Sequence, residues 1–110
     1  MRVVRRHTPA TVAAARTLGH LVSAGRRESG WTTAELSERL GTTQQTLRRI
    51  ERGEPSVSLG LVLDAAVLCG VDLFGVDASE LPRVEREARA REALLPQRVR
   101  SPKPNIDDDF

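Results

Sequence analysis

The sequence has few of the residues that build cofactor cavities or disulfide frameworks. Its 110 residues include one cysteine, no tyrosine and only three aromatic side chains, at Trp31, Phe74 and Phe110. Such a chain can form one domain with a small core of Leu, Val and Ala, but it cannot easily wall a large ligand cavity. The lone Cys69 excludes an intrachain disulfide, and its apolar surroundings predict a buried thiol suited to a reducing compartment.

Long apolar runs and metal-ligand clusters are also missing. No stretch approaches the ~20 apolar residues that span a membrane, and no signal peptide follows the basic start MRVVRRH, so we expect a cytoplasmic protein. His7 and His20 have no cysteine or carboxylate at metal-ligand spacing. Because no Ser/His/Asp set, Cys/His set or phosphate-cradling loop is present, we expect no enzymatic activity, no metal and no cofactor.

The net charge is only +2, so any nucleic-acid surface must be local. Residues 1–10 hold three arginines and no acid, whereas residues 11–77 hold seven arginines and eight acids. Sixteen of the 17 basic residues are arginine, which suits bidentate contacts to guanine and phosphate but also fits GC-rich coding.

Helical periodicity and capping patterns predict an all-α fold. The first helix lies in TPATVAAARTLGHLVSAGRRESG, with Thr8 as its cap and Pro9 in its first turn. The second lies in WTTAELSERLG, where Thr32 and Glu35 fit a capping box and Gly41 is the stop. The third and fourth lie in TTQQTLRRIERG and SLGLVLDAAVLCG.

The apolar positions of the later helices predict the core. The third helix offers Leu47 and Ile50, and Ser58 is the expected cap of the fourth. The segment VDLFGVD is expected to add one short turn of helix that docks Leu73 and Phe74 onto the core. The core stripe predicted for the fourth helix consists of Leu59, Val62, Leu63, Ala66 and Val67.

A last helix is predicted in PRVEREARAREALL, between Pro82 and Pro96. Its thin apolar face, which includes Val84, must pack on the domain, on a second copy or on a partner. We expect a homodimer whose interface involves Leu73, Phe74 and Val84, because this apolar stripe is too thin for a free-standing helix. The predicted organisation is a basic arm (1–10), a five-helix domain (11–77), an extra C-terminal helix (78–95) and a flexible tail (96–110).

The second and third helices, joined through Gly41, are typical of a helix-turn-helix. In that unit the start of the second helix reads bases in the major groove. Gln44 and Gln45 match adenine, Arg49 lies one turn beyond Gln45, and Arg48 and Arg52 can reach phosphates. Alternatively, Thr42 and Gln45 fit a T-x-x-Q capping box. If Thr43 is the cap instead, both glutamines are free.

Residues 18–76 resemble the XRE/Cro helix-turn-helix family, through RRIERGE, the apolar helix after it and GVDLF. The start GTTQQ is similar to the recognition helix of lambdoid phage repressors. The resemblance implies that Gln44 and Gln45 contact bases, that the Thr43 methyl approaches thymine, and that Thr33 and Arg52 hold phosphates. It also implies an ion pair between Arg26 and Glu51. Arg48 and Arg49 make this helix more basic than in those repressors, so their operator cannot be transferred.

The two ends of the chain are similar to HipB-like antitoxins, which repress their own operon as dimers and bind HipA-type kinase toxins. In this interpretation the tail carries a partner-binding segment, formed by Ile106, Asp107, Asp108, Asp109 and Phe110. The same tail also fits a solubilising role, or a role in which its basic residues follow DNA phosphates.

Two function classes therefore stand beside each other, and an enzyme is disfavoured. The first is a dimeric, sequence-specific DNA-binding repressor, the antitoxin of a toxin–antitoxin pair. The second is a protein-interaction module that uses its helical core and tail without specific DNA recognition. Salt dependence separates them, because binding through phosphates weakens steeply with salt.

Overall fold

The computed structural model describes residues 6–99 and contains five α-helices within that range. The chain divides into two compact units, with the boundary between Ser79 and Glu80. The first unit holds four of the helices and the second holds the fifth. The helices are α1 (Pro9–Glu28), α2 (Thr33–Leu40), α3 (Gln44–Glu51), α4 (Leu59–Leu68) and α5 (Leu81–Ala93).

The described residues thus have the all-α fold that the sequence predicted. The tail segment proposed to bind a partner, Ile106–Phe110, lies outside them, as do residues 1–5 of the N-terminal arm. Helix α1 begins at Pro9, so the first helix starts two residues before the predicted boundary between arm and domain.

The predicted caps of α1 and α2 are confirmed. The Thr8 hydroxyl accepts the Thr11 amide at 3.1 Å, and Pro9 occupies the first turn of α1, where its missing amide costs nothing. Thr32 and Glu35 form a reciprocal capping box at the start of α2. The Thr32 amide, which donates to the Glu35 carboxylate, and secondly the Thr32 hydroxyl hold the pKa of that carboxyl below its ordinary value. Each pair supplies hydrogen-bond acceptors to backbone amides that have no partner within the helix.

Helix α2 ends at Gly41, whose φ of 71° is in the left-handed region that glycine adopts without a steric cost. Only two further residues precede α3. This connection makes the turn of the helix-turn-helix short, and it places α3 directly against α2.

One small core holds the first four helices together. Helix α3 packs on α1 and on α2, and α4 packs on the same two helices. Leu36, Leu47 and Val22 are its largest fully buried side chains. Trp31 and several aliphatic side chains pack around it. The complete set of buried apolar residues is Val22, Leu36, Leu47, Ile50, Ala65, Ala66 and Cys69.

Glycines in α1 allow the neighbouring helices to approach its backbone. A Cβ atom at Gly19 would lie 2.5 Å from the Glu51 carbonyl oxygen, and one at Gly25 would lie 2.3 Å from the Cys69 carbonyl oxygen. Both distances are shorter than any van der Waals contact allows, so α3 and α4 could not lie where they do against an alanine. The Cys69 thiol is buried at this contact, as predicted, and its pKa is raised by that burial.

The predicted core stripe of α4 is confirmed only in part. Ala66 of that stripe is buried and Val62 packs against the core. Leu59 and Val67 are 72% and 42% exposed, whereas Ala65 and Cys69, outside the stripe, are buried. The prediction was wrong at Leu59 and Val67 because α4 is apolar on nearly every side, so its pattern marks no single inward face. The close contact at Gly25 selects that face instead. Ser58 occupies the N-cap position of α4, but its side chain makes no capping hydrogen bond, contrary to our expectation.

The segment VDLFGVD is not the short helical turn that we predicted. It forms a tight turn closed by an antiparallel bridge between Leu73 and Val76, and it contains Gly75 at a φ of 74°. Leu73 packs against the core, but Phe74 is 82% exposed and does not dock there. A glycine in the left-handed region favours a turn over a continuing helix, which accounts for the difference.

Helix α5 forms a separate unit and follows a short 3-10 turn, Ala78–Glu80. Pro82 lies in its first turn, as predicted. None of its residues is buried, and its surface carries ion pairs at helical spacing, Arg83 with Glu80 and Glu87, and Arg89 with Glu85. Each of these exposed ion pairs contributes little to the free energy of unfolding.

The close approach at Gly19 leads to a first prediction. Gly19→Ala should lower the unfolding free energy by about 1–3 kcal/mol, because the added methyl group must push α3 away from α1. Gly60→Ala in α4 is the matched control. Nothing lies within 4 Å of its Cβ position, so the better helix former should stabilise by about 0.5–1 kcal/mol.

Urea unfolding of the two variants and of the wild type measures both changes. Equal effects of the two substitutions, or a stabilising Gly19→Ala, would contradict the close packing of α1 on α3.

Candidate nucleic-acid interface

Helix α3 has one buried side and one polar side. Leu47 and Ile50 point into the core, and Glu51 is largely covered. The remaining long side chains lie on the outer side, which we call the polar face of α3. It consists of Gln44, Gln45, Arg48, Arg49 and Arg52.

The start of α3 is capped by Thr43 and not by the alternative pair of Thr42 and Gln45. The Thr43 hydroxyl accepts the Thr46 amide at 3.1 Å and donates to the Thr46 hydroxyl at 3.0 Å. Gln45 has no capping role and is exposed. Of the two possibilities that the sequence left open, the structure therefore adopts the one in which Gln45 is free for other contacts.

Gln44 is oriented by the first residue of α2. The Thr33 hydroxyl donates to the Gln44 side-chain oxygen at 3.1 Å. This bond brings the first turns of α2 and α3 to the same side of the molecule. A carbonyl oxygen has a second lone pair, and the amide nitrogen of Gln44 keeps both of its hydrogens. The side chain thus retains the paired donor and acceptor that match an adenine edge.

Arg48 is the most available cation of the polar face. It is exposed, and within residues 6–99 no carboxylate lies at ion-pair distance from it. Arg52 is also largely exposed, but its Nη2 atom lies 2.7 Å from the Glu54 carboxylate. Thr43 and Thr33 complete the set of predicted DNA contacts, and both lie at the starts of their helices.

Arg49 has partners that the sequence reasoning missed. Its Nε atom donates to Glu54 Oε1 at 2.9 Å, and its Nη2 atom donates to the Ser56 hydroxyl, also at 2.9 Å. Glu54 thus bridges Arg49 and Arg52, and hydrogen bonds from Arg49 first and Arg52 second hold its pKa below the ordinary value. The sequence did contain a signal for this pairing. Glu54 directly follows Gly53, and the loop that begins there returns along the end of α3.

Arg26 connects three segments behind the polar face. Its Nε and Nη2 atoms donate to the two oxygens of Glu51 at 2.8 and 3.3 Å, and its Nη1 atom donates to the Trp31 carbonyl at 2.9 Å. The hydrogen bond to Glu51 raises the pKa of Arg26. Both charged groups are almost covered, so removing one would strand the other, which typically costs about 3–5 kcal/mol.

The residues expected at a dimer interface occupy different environments. Phe74 is exposed at the tip of its turn and has a φ of 56°, an uncommon backbone conformation for a large side chain. Leu73 next to it is half-buried. Val84 is half-buried on α5, in the second unit.

Two further observations bear on the kind of site this is. None of the helices in the described part of the chain has an apolar stretch long enough to cross a bilayer. Within residues 6–99, no group of three or more His, Cys, Asp or Glu side chains converges as a metal site would.

Comparison with known proteins agrees with this geometry. The model of the helix-turn-helix domain family matches residues 17–83, which include α2, α3 and the turn between them. No curated protein and no solved structure shows significant similarity to the chain. The matched range covers more than half of the sequence, and it contains the capped, glycine-linked helix pair described above. The chain therefore belongs to the helix-turn-helix domain family, whose members are DNA-binding regulators.

Proposed function

We propose that the protein is a sequence-specific transcriptional repressor of the XRE/Cro type, acting in the cytoplasm as a homodimer on an operator in double-stranded DNA. The observation that carries this proposal is the start of α3. Thr43 supplies the cap, so Gln44 and Gln45 are both available, and Thr33 orients Gln44. Paired glutamine amides at the first turn of a second helix suit base reading in the major groove.

Each residue of the polar face has a proposed role. Gln44 and Gln45 read adenine edges, Arg49 reaches a base edge, and the Thr43 methyl contacts a thymine methyl. Thr33, Arg48 and Arg52 hold phosphates on either side. Arg26 and Glu51 do not touch DNA in this proposal. They fix α3 against α1 and so set the angle at which the polar face is presented.

The glutamines provide the central test. Gln44→Ala and Gln45→Ala should each weaken binding to the selected operator by about 1–3 kcal/mol and leave random DNA almost unaffected, because base contacts are lost while phosphate contacts remain. Arg52→Ala should weaken both DNAs about equally. Fluorescence anisotropy with an operator selected from a random oligonucleotide library, and with a random duplex of equal length, measures these affinities.

Gln97→Ala is the matched control, since it removes an exposed glutamine outside the helices. If neither α3 glutamine variant differs from this control on the operator, the recognition assignment is wrong. Binding that does not weaken with salt would favour the protein-interaction module over a DNA-binding protein.

Dimerisation is supported by Phe74. A left-handed backbone costs an L-residue roughly 1–2 kcal/mol, and here it presents an aromatic ring to solvent. Contact with a second copy would recover that cost by burying the ring. Leu73 beside it and Val84 on α5 are the other proposed members of the interface. Two half-sites about one helical turn apart would then be read together.

Phe74→Asn tests the dimer without disturbing the turn, because asparagine tolerates the left-handed region. We expect the variant to be monomeric at micromolar concentration in sedimentation equilibrium and to keep the helical circular-dichroism spectrum of the wild type. Operator affinity should fall while random-duplex affinity changes little. Val99→Asn, which also removes an exposed apolar side chain, should remain dimeric. A monomeric wild type would contradict the proposal.

We further propose that the repressor is the antitoxin of a toxin–antitoxin pair, autoregulating its operon and neutralising a HipA-type kinase. This proposal rests on the sequence of the tail, in which Ile106 and Phe110 flank three aspartates. An apolar anchor next to concentrated charge suits a short segment that docks on a basic groove of a partner. The exposed surface of α5 offers additional contact area.

Deletion of residues 101–110 separates the roles of the tail. Docking on the toxin requires that binding to the kinase encoded in the same operon weakens, while operator binding by the free dimer stays nearly unchanged. Isothermal titration of the kinase and anisotropy with the operator give the two readouts. Unchanged affinity for the kinase would reject the docking role, and the absence of such a reading frame would reject the antitoxin assignment.

A further inference from the structure

Glu54 binds two arginines of the polar face of α3 at once. Its Oε1 atom accepts from Arg49 Nε at 2.9 Å, and its Oε2 atom accepts from Arg52 Nε and Nη2 at 3.0 and 2.7 Å. Ser56 accepts a further hydrogen bond from Arg49. We call this group of four residues the Glu54 cluster. Two of the three arginines on the polar face are therefore already paired in the free protein.

The cluster occupies the same guanidinium atoms that DNA would need. An arginine binds a phosphate, or the O6 and N7 atoms of guanine, through the same fork that it offers to a carboxylate. Arg52 uses both arms of that fork on one oxygen of Glu54. A phosphate or a base edge must displace the carboxylate, and the displaced negative charge then lies beside the DNA backbone.

The cluster is weak enough to open. The side chains of Arg49, Arg52 and Glu54 are 35%, 60% and 37% exposed, and ion pairs in such positions are screened by water and salt. The bidentate contact of an arginine with a guanine edge can replace it in a matched sequence. An arginine that binds only a phosphate gains little from the exchange, because it gives up one carboxylate contact for one phosphate contact.

We infer that Glu54 competes with DNA for Arg49 and Arg52 and so lowers the affinity of the protein for random DNA and for the operator. This inference rests on the proposed DNA-binding function. Either complex gains the contacts of the two arginines only after their hydrogen bonds to Glu54 are broken. The free energy of breaking the cluster is therefore lost from binding to both DNAs.

Glu54→Gln is the direct test, since it removes the charge and keeps the shape. Affinity for a random duplex should rise by about five-fold at 0.15 M salt for each arginine released, from a slope of about 0.9 per phosphate contact. The slope of log affinity against log salt should steepen by about one for each arginine. Operator affinity should rise by a similar factor, so the ratio of specific to random affinity should change by less than about two-fold.

Glu28→Gln is the matched control for net charge. Glu28 is exposed at the end of α1, and within residues 6–99 it makes no ion pair. Gly53, beside Glu54, contacts α1 at Arg16, and Glu28 lies 12 residues further along that helix, about 18 Å at 1.5 Å per residue. That distance exceeds the screening length of about 8 Å at physiological salt.

A double variant identifies the arginine involved. In an Arg52→Ala background, Glu54→Gln should raise random-duplex affinity less than in the wild type, because one of the two arginines is no longer available for release. An equal rise in both backgrounds would mean that Glu54 acts through charge alone, which would overturn the inference.

Three further outcomes decide whether Glu54 competes with DNA for the two arginines. If Glu54→Gln weakens both DNAs, Glu54 positions the arginines for DNA and the inference is wrong. If it behaves like Glu28→Gln, the cluster has no role in recognition, although the proposed function stands. If the wild type binds neither the random duplex nor any selected operator, the proposed function fails and this inference fails with it.

Discussion

The contact of Arg26 with Glu51 and Trp31 is the interaction on which the rest of the structure depends. One guanidinium ties α1, the loop before α2 and the end of α3 together. It does so where Gly19 lets the α3 backbone approach α1 more closely than any side chain would permit. A nearly buried charge must be fully paired, so this contact tolerates few alternative arrangements. The position of the polar face of α3 follows from it.

The contacts that stabilise the fold and the proposed DNA contacts lie on opposite sides of the same eight-residue helix. The inner side supplies Leu47, Ile50 and Glu51, and the outer side carries glutamines and arginines with hardly any role in the core. Substitutions on the outer side should therefore change the surface of α3 without unfolding the domain. The Glu54 cluster is the exception, because it joins the outer side to the following loop through charge. It makes the electrostatics of the face depend on a residue beyond the helix.

Most of the fold was accessible from the sequence, and the reason is local chemistry. Caps at Thr8 and Thr32 and the stop at Gly41 involve neighbouring residues, so a single sequence contains both partners of each interaction. The same holds for the placement of Gln44 and Gln45 at the start of α3. The prediction was wrong at Leu59 and Val67 of α4, where apolar residues on nearly every side carry no directional information. It failed at Phe74, where a left-handed turn replaced the expected helix.

Apart from VDLFGVD, the sequence by itself determined which of the described segments are helical, the caps that begin α1 and α2, and which residues α3 carries. Those properties depend on contacts within about one helical turn. Only the tertiary structure decided that Gln44 is held by Thr33, that α4 turns Ala65 and not Val67 inward, and that Glu54 binds both Arg49 and Arg52. Each of these depends on where the chain folds back on itself. That path is set by backbone approach at glycines and by loop geometry, which periodicity does not encode.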